Sequence, residues 1–388
     1  AAVVDAYNAM GVTAAAIGNH EFDFGPMGKN AIPIEAGEDP RGNLKRRASE
    51  AQFPLLAANL IDLETGRPVA WDNVRPSVMV EAAGVKIGIV GVVTENALTT
   101  TIAANTNGLR VAPLADTIAA EARKLRDNGA VLVIAAAHAG GKCTDFSNPE
   151  DLSSCVMSAE IMRVANQLEP GTVDYIIGGH NHNPIAHIIN STPVTSNAAK
   201  TFSFGRVDFR IDRTQQAVMS RQVNAPQFTA PGARETYEGY PLVANPAVQR
   251  VALEAQARAD ALKNEKLGVV LSESFDLVPD IESAISNLMT EAMLDSFDGD
   301  IAIHNVFGGI RSGLPGGDLT YGAVFEMFPF DNIVAIHEVS GRDLRQIIGR
   351  SAQRHRKPGF AGMRVYISCA DGRMDVVMHL NDGREIAD

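Results

Sequence analysis

Basic charge is in short supply in this 388-residue chain: 34 Lys and Arg stand against 46 Asp and Glu, a net charge of −12 at neutral pH. A protein that neutralises a polynucleotide backbone or an anionic lipid surface needs the opposite balance, so neither nucleic acid nor lipid is expected as a partner. No apolar run approaches the ~20 residues that a membrane-crossing helix requires, so no membrane span is expected. Cysteine is scarce, with three in the chain. What remains is the composition of a globular protein, 45% hydrophobic and 21% charged. The length exceeds one ordinary core and predicts two domains.

Cys143 and Cys155 flank a polar loop of a length that a disulfide can close. Closure would restrain the loop by roughly 3 kcal/mol in the chain-entropy picture and would imply an oxidising compartment. The alternative is a pair of free thiols in a cytosolic protein. Cys369 has no evident partner, and burial is its expected role.

Three apolar, strand-like runs end in polar clusters. Ala14 to Ile17 leads through Gly18 into Asn19-His20-Glu21-Phe22-Asp23; Val131 to Ala137 leads into His138; Val173 to Ile177 leads through Gly178-Gly179 into His180-Asn181-His182. Apolar runs of this length read as buried strands, and the carboxyl ends of strands in α/β sheets are where ligands bind. One strand ending in His is more often a core or capping histidine than a ligand. Here four of the nine histidines stand at three such ends. Imidazole, amide oxygen and carboxylate suit borderline divalent metals such as Zn, Mn, Co or Ni, and no thiolate lies in any of the clusters. His180 and His182 would share a face on a regular strand but can approach different metals from a Gly-Gly turn.

Strands are also expected over 53–60 and 85–93, with a helix from Asp116, as N-cap, to Arg126. Residues 28–47 are Gly-, Pro- and charge-rich and read as an exposed loop. Within them, Lys45-Arg46-Arg47 is either a steering patch for an anionic substrate or solvated surface. Runs at 185–189, 193–196 and 207–211 read as the closing strands of a first domain, after which the pattern fades from 214 to 240. Pro246 initiates a helix reaching about Lys266. The boundary is placed near 240, giving domains 1–240 and 241–388.

In the second domain a strand at 301–305 runs into a Gly308-Gly309 turn and Arg311, followed by Pro329-Phe330-Asp331-Asn332. Arg can hold a phosphate bidentately and a Pro-fixed ring offers a flat face to a nucleobase. The plain alternative is a structural turn and a core Phe.

Gly-Asn19-His20-Glu21-Phe-Asp23, then His138, then Gly-His180-Asn-His182, resembles the later motifs of the calcineurin-like metallophosphoesterases, and in this form the 5'-nucleotidase and 2',3'-cyclic-nucleotide phosphodiesterase family. Gly308-Gly309-Ile-Arg311 and Pro-Phe330-x-Asn332 match that family's nucleotide-binding carboxyl-terminal domain in order and spacing. The resemblance implies a four-layer α/β/β/α domain joined by a helix to a smaller α+β domain. It implies two divalent metals held by Asn19, His138, His180 and His182, with His20 as the group that stabilises or protonates at the phosphoryl centre and Asp23 orienting it; Glu21 is structural. Arg311, Phe330, Asn332, Gly308 and Gly309 would hold a nucleotide lying between the domains. The family's opening Asp-x-His and Gly-Asp motifs are absent, and residues 1–11 resemble the helix that follows them, so the resemblance implies strands before Ala1 as well as chain beyond Asp388. Val306 stands where the family usually has Asn.

The function read from this is metal-dependent hydrolysis of nucleotide phosphoesters by a monomer in the periplasm or at the cell surface. A broader phosphoesterase acting on sugar phosphates and a non-catalytic binding protein of the same fold are the alternatives.

Overall fold

A computed structural model describes residues 2–229, 236–278, 282–330, 332–353, 358–371 and 373–388. The chain divides into two compact units, Ala1–Ala252 and Leu253–Asp388. The helix Pro246–Lys263 straddles that division, with Pro246 at its first position, where the missing N–H costs nothing.

The first unit is built on a six-stranded sheet in the order Ile185–Ile189, Thr192–Ser196, Tyr175–Ile177, Leu132–His138, Val85–Val93, Ser77–Ala82. Its centre is parallel: Val85–Val93 pairs with Leu132–His138, which pairs with Tyr175–Ile177. Strands buried on both faces need apolar residues throughout, which is why Leu132 to Ala137 carries no polar alternation. Helix Leu114–Asp127 presents Leu114, Ile118, Ala122 and Leu125 at helical spacing to one face, joined by Ile161, Met162 and Val164 of helix Glu160–Gln167, against Val90, Val133 and Ile176. That helix starts two residues ahead of the expected Asp116, which sits in its first turn rather than at its cap.

A second, three-stranded parallel sheet, Ala15–Ala16, Leu55–Leu56 and Val74–Arg75, packs on the other face. Gly91 permits this approach: a Cβ there would lie 2.1 Å from Leu56 Cβ. Leu44 and Ala48 of helix Gly42–Glu50 cover the outer side together with Ile17, Leu60 and Val74. The result is the four-layer α/β/β/α order. That helix also corrects the reading of 28–47 as loop throughout. Lys45 pairs with Asp39 at 2.6 Å, while Arg46, at 3.0 Å, and Arg47 share Glu50, so three cations of the run meet two carboxylates at the surface.

Residues 214–229 and 236–240 hold more order than their composition suggested. Ala217–Phe228 is a long strand paired antiparallel with Ser203–Asp212. Most of its residues are solvent-facing or half-buried on both sides, so the apolar alternation that signals a strand is missing.

Cys143 and Cys155 are joined by a disulfide. The closed loop has a sequence separation of 12, and Cys143→Ser with Cys155→Ser is expected to cost about 3 kcal/mol in a denaturant titration. Peptide mapping without reductant should recover 143 and 155 in one linked pair; free alkylation of both in native material would contradict it.

The second unit is smaller and α+β. Ile285 of helix Ala284–Ser296 packs with Val306, Ile310, Leu314 and Met327 in one cluster. Helix Gly341–Gln353 packs Leu344 and Ile348 against the hairpin Met363–Ala370 and Arg373–Leu380 in another. Cys369 is exposed, not buried: it lies near the tip of that hairpin, where Ser368, Cys369 and Ala370 have nothing packed over them.

Candidate metal centre

Three strand ends meet at one edge of the first unit. Register aligns Val93 with His138, and Thr94 N–H donates to the His138 carbonyl at 2.9 Å, fixing the point where that strand stops. Asn19 is 1% exposed, and its Nδ2 donates to the Thr100 carbonyl at 3.1 Å. That bond turns Asn19 Oδ1 towards His138, whose Nε2 is 3.0 Å away. His180 Nδ1 lies 3.1 Å from the same His138 Nε2, with the two rings edge to face. Three of the four expected ligands thus bring an N or O atom to one point. His182 follows in the same loop, and its charge acts on both His138 and His180.

Burial and the neighbouring histidines push the His138 pKa down to about 4. Burial lowers that of His180 too, with Glu160 working against it. Both rings are therefore neutral near pH 7, as metal ligation requires. Converging neutral imidazole nitrogens and an amide oxygen fit a borderline divalent cation.

Beside this point His20 opens a short 3-10 turn, His20–Phe22, and its Nδ1 is 2.6 Å from Asp23 Oδ2. Thr101 Oγ donates to the other Asp23 oxygen at 2.7 Å. The carboxylate so held lies against Nδ1 and orients the imidazole. Glu21 turns its carboxylate back to accept the Gly18 N–H at 2.7 Å. Although the residue as a whole is exposed, the crowding around that carboxylate raises its pKa. It braces the turn.

His180 and His182 both have left-handed backbones, φ 74° and 58°. Such conformations cost of order 1–3 kcal/mol each and persist where surrounding structure enforces them. Gly140 is part of that enforcement: a Cβ there would lie 2.2 Å from Asn181 Cγ. Gly140→Ala should displace the 180–182 loop, destabilise the protein by about 1–3 kcal/mol and weaken metal binding. Calorimetric metal titration beside thermal unfolding checks this; unchanged affinity would show that the loop position is not used.

In the second unit the Gly308-Gly309 segment is a short helix, Val306–Gly309, rather than a turn. A Cβ on Gly309 would lie 2.6 Å from His304 Cε1, so a side chain there would drive the buried His304 aside. Arg311 Cζ stands 5.0 Å over the ring of Phe330, and Arg311 N–H donates to the Met327 carbonyl at 2.8 Å, tying the two segments. Asn332 is exposed, and Asp331 lies outside the described residues.

Sequence reasoning missed Thr101, Thr94 and Glu160. Glu160 accepts from Thr94 Oγ at 2.7 Å and from Glu95 N–H at 2.9 Å, clamping a helix start to the edge where His138 sits. Their positions follow from long-range topology, and no local spacing announces them.

The fold is a four-layer α/β/β/α domain followed by a smaller α+β domain. Residues 267–388 match the family described as 5'-nucleotidase, C-terminal domain. That match covers the second unit, and the relatives below extend the likeness over most of the chain. It is 25% identical over 359 residues to the cell wall protein Lmo0130 of Listeria monocytogenes, covering 86% of this chain and 44% of that protein. It is 24% identical over 350 residues to the endonuclease YhcR of Bacillus subtilis, covering 87% and 26%. The chain thus spans less than half the length of these two relatives. A 5'-nucleotidase precursor from Thermus thermophilus shares the fold at a TM-score of 0.70 and 20% identity, over 99% of this chain and 74% of that one.

Proposed function

We propose that the protein is a metal-dependent hydrolase of nucleotide phosphoesters, acting on nucleoside 5'-monophosphates and also on 2',3'-cyclic nucleotides. The observation that carries this is the convergence of Asn19 Oδ1, His138 Nε2 and His180 Nδ1 beside the His20–Asp23 pair. Asn19, His138, His180 and His182 would hold two divalent ions, drawn from Zn, Mn, Co and Ni. Those ions, when bound, supply water activation and neutralise phosphoryl charge.

The chain's own residues do the rest. Asp23 holds His20 protonated at Nδ1, directing the other ring nitrogen to the phosphoryl group or the leaving oxygen. Residues 1–240 are the catalytic domain in this reading and 241–388 the substrate-binding domain, where Arg311, Phe330, Asn332 and the Gly308-Gly309 backbone recognise the nucleotide. The disulfide, and a relative named as a cell wall protein, support a place outside the cytoplasm, in the periplasm or at the surface. No described helix is long and apolar enough to cross a membrane.

A panel of substrates at fixed metal concentration tests the reading. Nucleoside monophosphates should exceed sugar phosphates in kcat/KM; equal values would favour the broader phosphoesterase, and no turnover of any phosphoester by folded, metal-loaded protein would favour a binding role.

A further inference from the structure

His187 takes no part in the chemistry above, yet it is fully buried on strand Ile185–Ile189. Among the described residues its Nε2 meets no partner at hydrogen-bond geometry, although the Asp145 and Asp151 backbones act on the ring. A buried polar atom left unpaired costs of order 1–3 kcal/mol and asks for an explanation. The sulfurs of Cys143 and Cys155 are beside it: one ring nitrogen and both Sγ atoms all lie within 4.8 Å of one another. Phe146 packs against the ring at 5.8 Å between centroids, leaving the sulfurs as its soft neighbours.

The disulfide is not the sole closure of this loop. Val156 N–H donates to the Lys142 carbonyl at 2.9 Å, Ile188 N–H to the Pro149 carbonyl at 2.7 Å, and Asp145 N–H to Ser154 Oγ at 3.1 Å. With the S–S bond broken, these hydrogen bonds would keep both cysteines beside His187 while the two sulfurs move apart to non-bonded contact. Two thiolates and an imidazole are a borderline-soft donor set for which zinc is the natural occupant.

We propose that in the reduced protein Cys143, Cys155 and His187 form a zinc-type site, separate from the histidine cluster at the strand ends. Reduction by a dithiol breaks the Cys143–Cys155 bond, yields the reductant's own disulfide and leaves two thiols. Binding one divalent ion then releases two protons, and a fourth position remains for water or for the carboxylate of Asp145 or Asp151, whose charges already act on the ring. The loop after His138 is then closed covalently in oxidising surroundings and by metal in reducing ones.

Cobalt is the probe, because thiolate-to-cobalt charge transfer absorbs in the near ultraviolet and the sulfur-free histidine cluster cannot produce it. The full chain reduced with a phosphine should develop this band, saturating at one thiolate-bound cobalt per chain and bleached by zinc. The oxidised chain and the Cys143→Ser, Cys155→Ser variant should show none. His187→Gln should weaken cobalt binding at this band about tenfold or more. No band in the reduced, folded chain, or unchanged affinity in His187→Gln, overturns the proposal. Should His187→Gln fail to fold, cadmium NMR of the reduced wild-type chain decides: a sulfur-shifted resonance coupled to one imidazole supports the site, and its absence overturns it.

Discussion

His20→Ala is expected to lower kcat by about two to four orders of magnitude, the range that a positioned acid or base contributes. The loss should be the same for a nucleotide and for a small aryl phosphate, because the proposed role is at the phosphoryl group that both share. KM should move little. Metal content should hold, since the Asn19, His138 and His180 atoms converge without His20. Asp23→Asn should give a smaller fall in kcat, as Thr101 and the ring would still meet a side chain of the same shape but without its charge. His138→Ala is the contrasting variant: it should lose metal as well as activity. A His20→Ala enzyme within a few fold of wild type on both substrates would remove His20 from the reaction.

Phe330→Ala should separate the two substrates instead. The ring is half-buried, with Arg311 over it at 5.0 Å and Phe328 edge-on at 6.2 Å, so it is held rather than loose. Losing a base-stacking ring costs about 1–3 kcal/mol, a rise of roughly 5- to 150-fold in KM for a nucleotide with kcat nearly unchanged. An aryl phosphate has no nucleobase to hold, so its constants should stay where they are. Equal losses on both substrates would identify Phe330 as a packing residue and move the assignment to a general phosphoesterase.

How much of this was legible in the sequence depends on the range of the interaction. Leu132 to His138 announced itself because a strand buried on both faces must be apolar, and His138 breaks that run at its end. Asn19, His20 and Asp23 were readable for the same reason, being packed into one turn. The strand Ala217–Phe228 was not, since nearly all its residues are exposed or half-buried and show no hydrophobic period. Cys369 was misjudged because the tendency of cysteine to be buried is weaker than its position near a hairpin tip. Lys45 to Arg47 looked like a free cationic run until the helix Gly42–Glu50 brought Glu50 back onto two of its members. Glu160 and Thr101 reach the site across 66 and 78 residues of chain. Only the folded topology brings them there, and no motif encodes that.

The central claim is that phosphoester hydrolysis here runs on metal held by Asn19, His138, His180 and His182. Its most direct test is phosphate release from a nucleoside 5'-monophosphate by the protein before chelation, after chelation, and after return of manganese, zinc, cobalt or nickel. The account predicts release that disappears with the metal, returns with at least one of these ions, and does not return in His138→Ala at the same metal concentration. Release that continues undiminished in metal-free protein would contradict it.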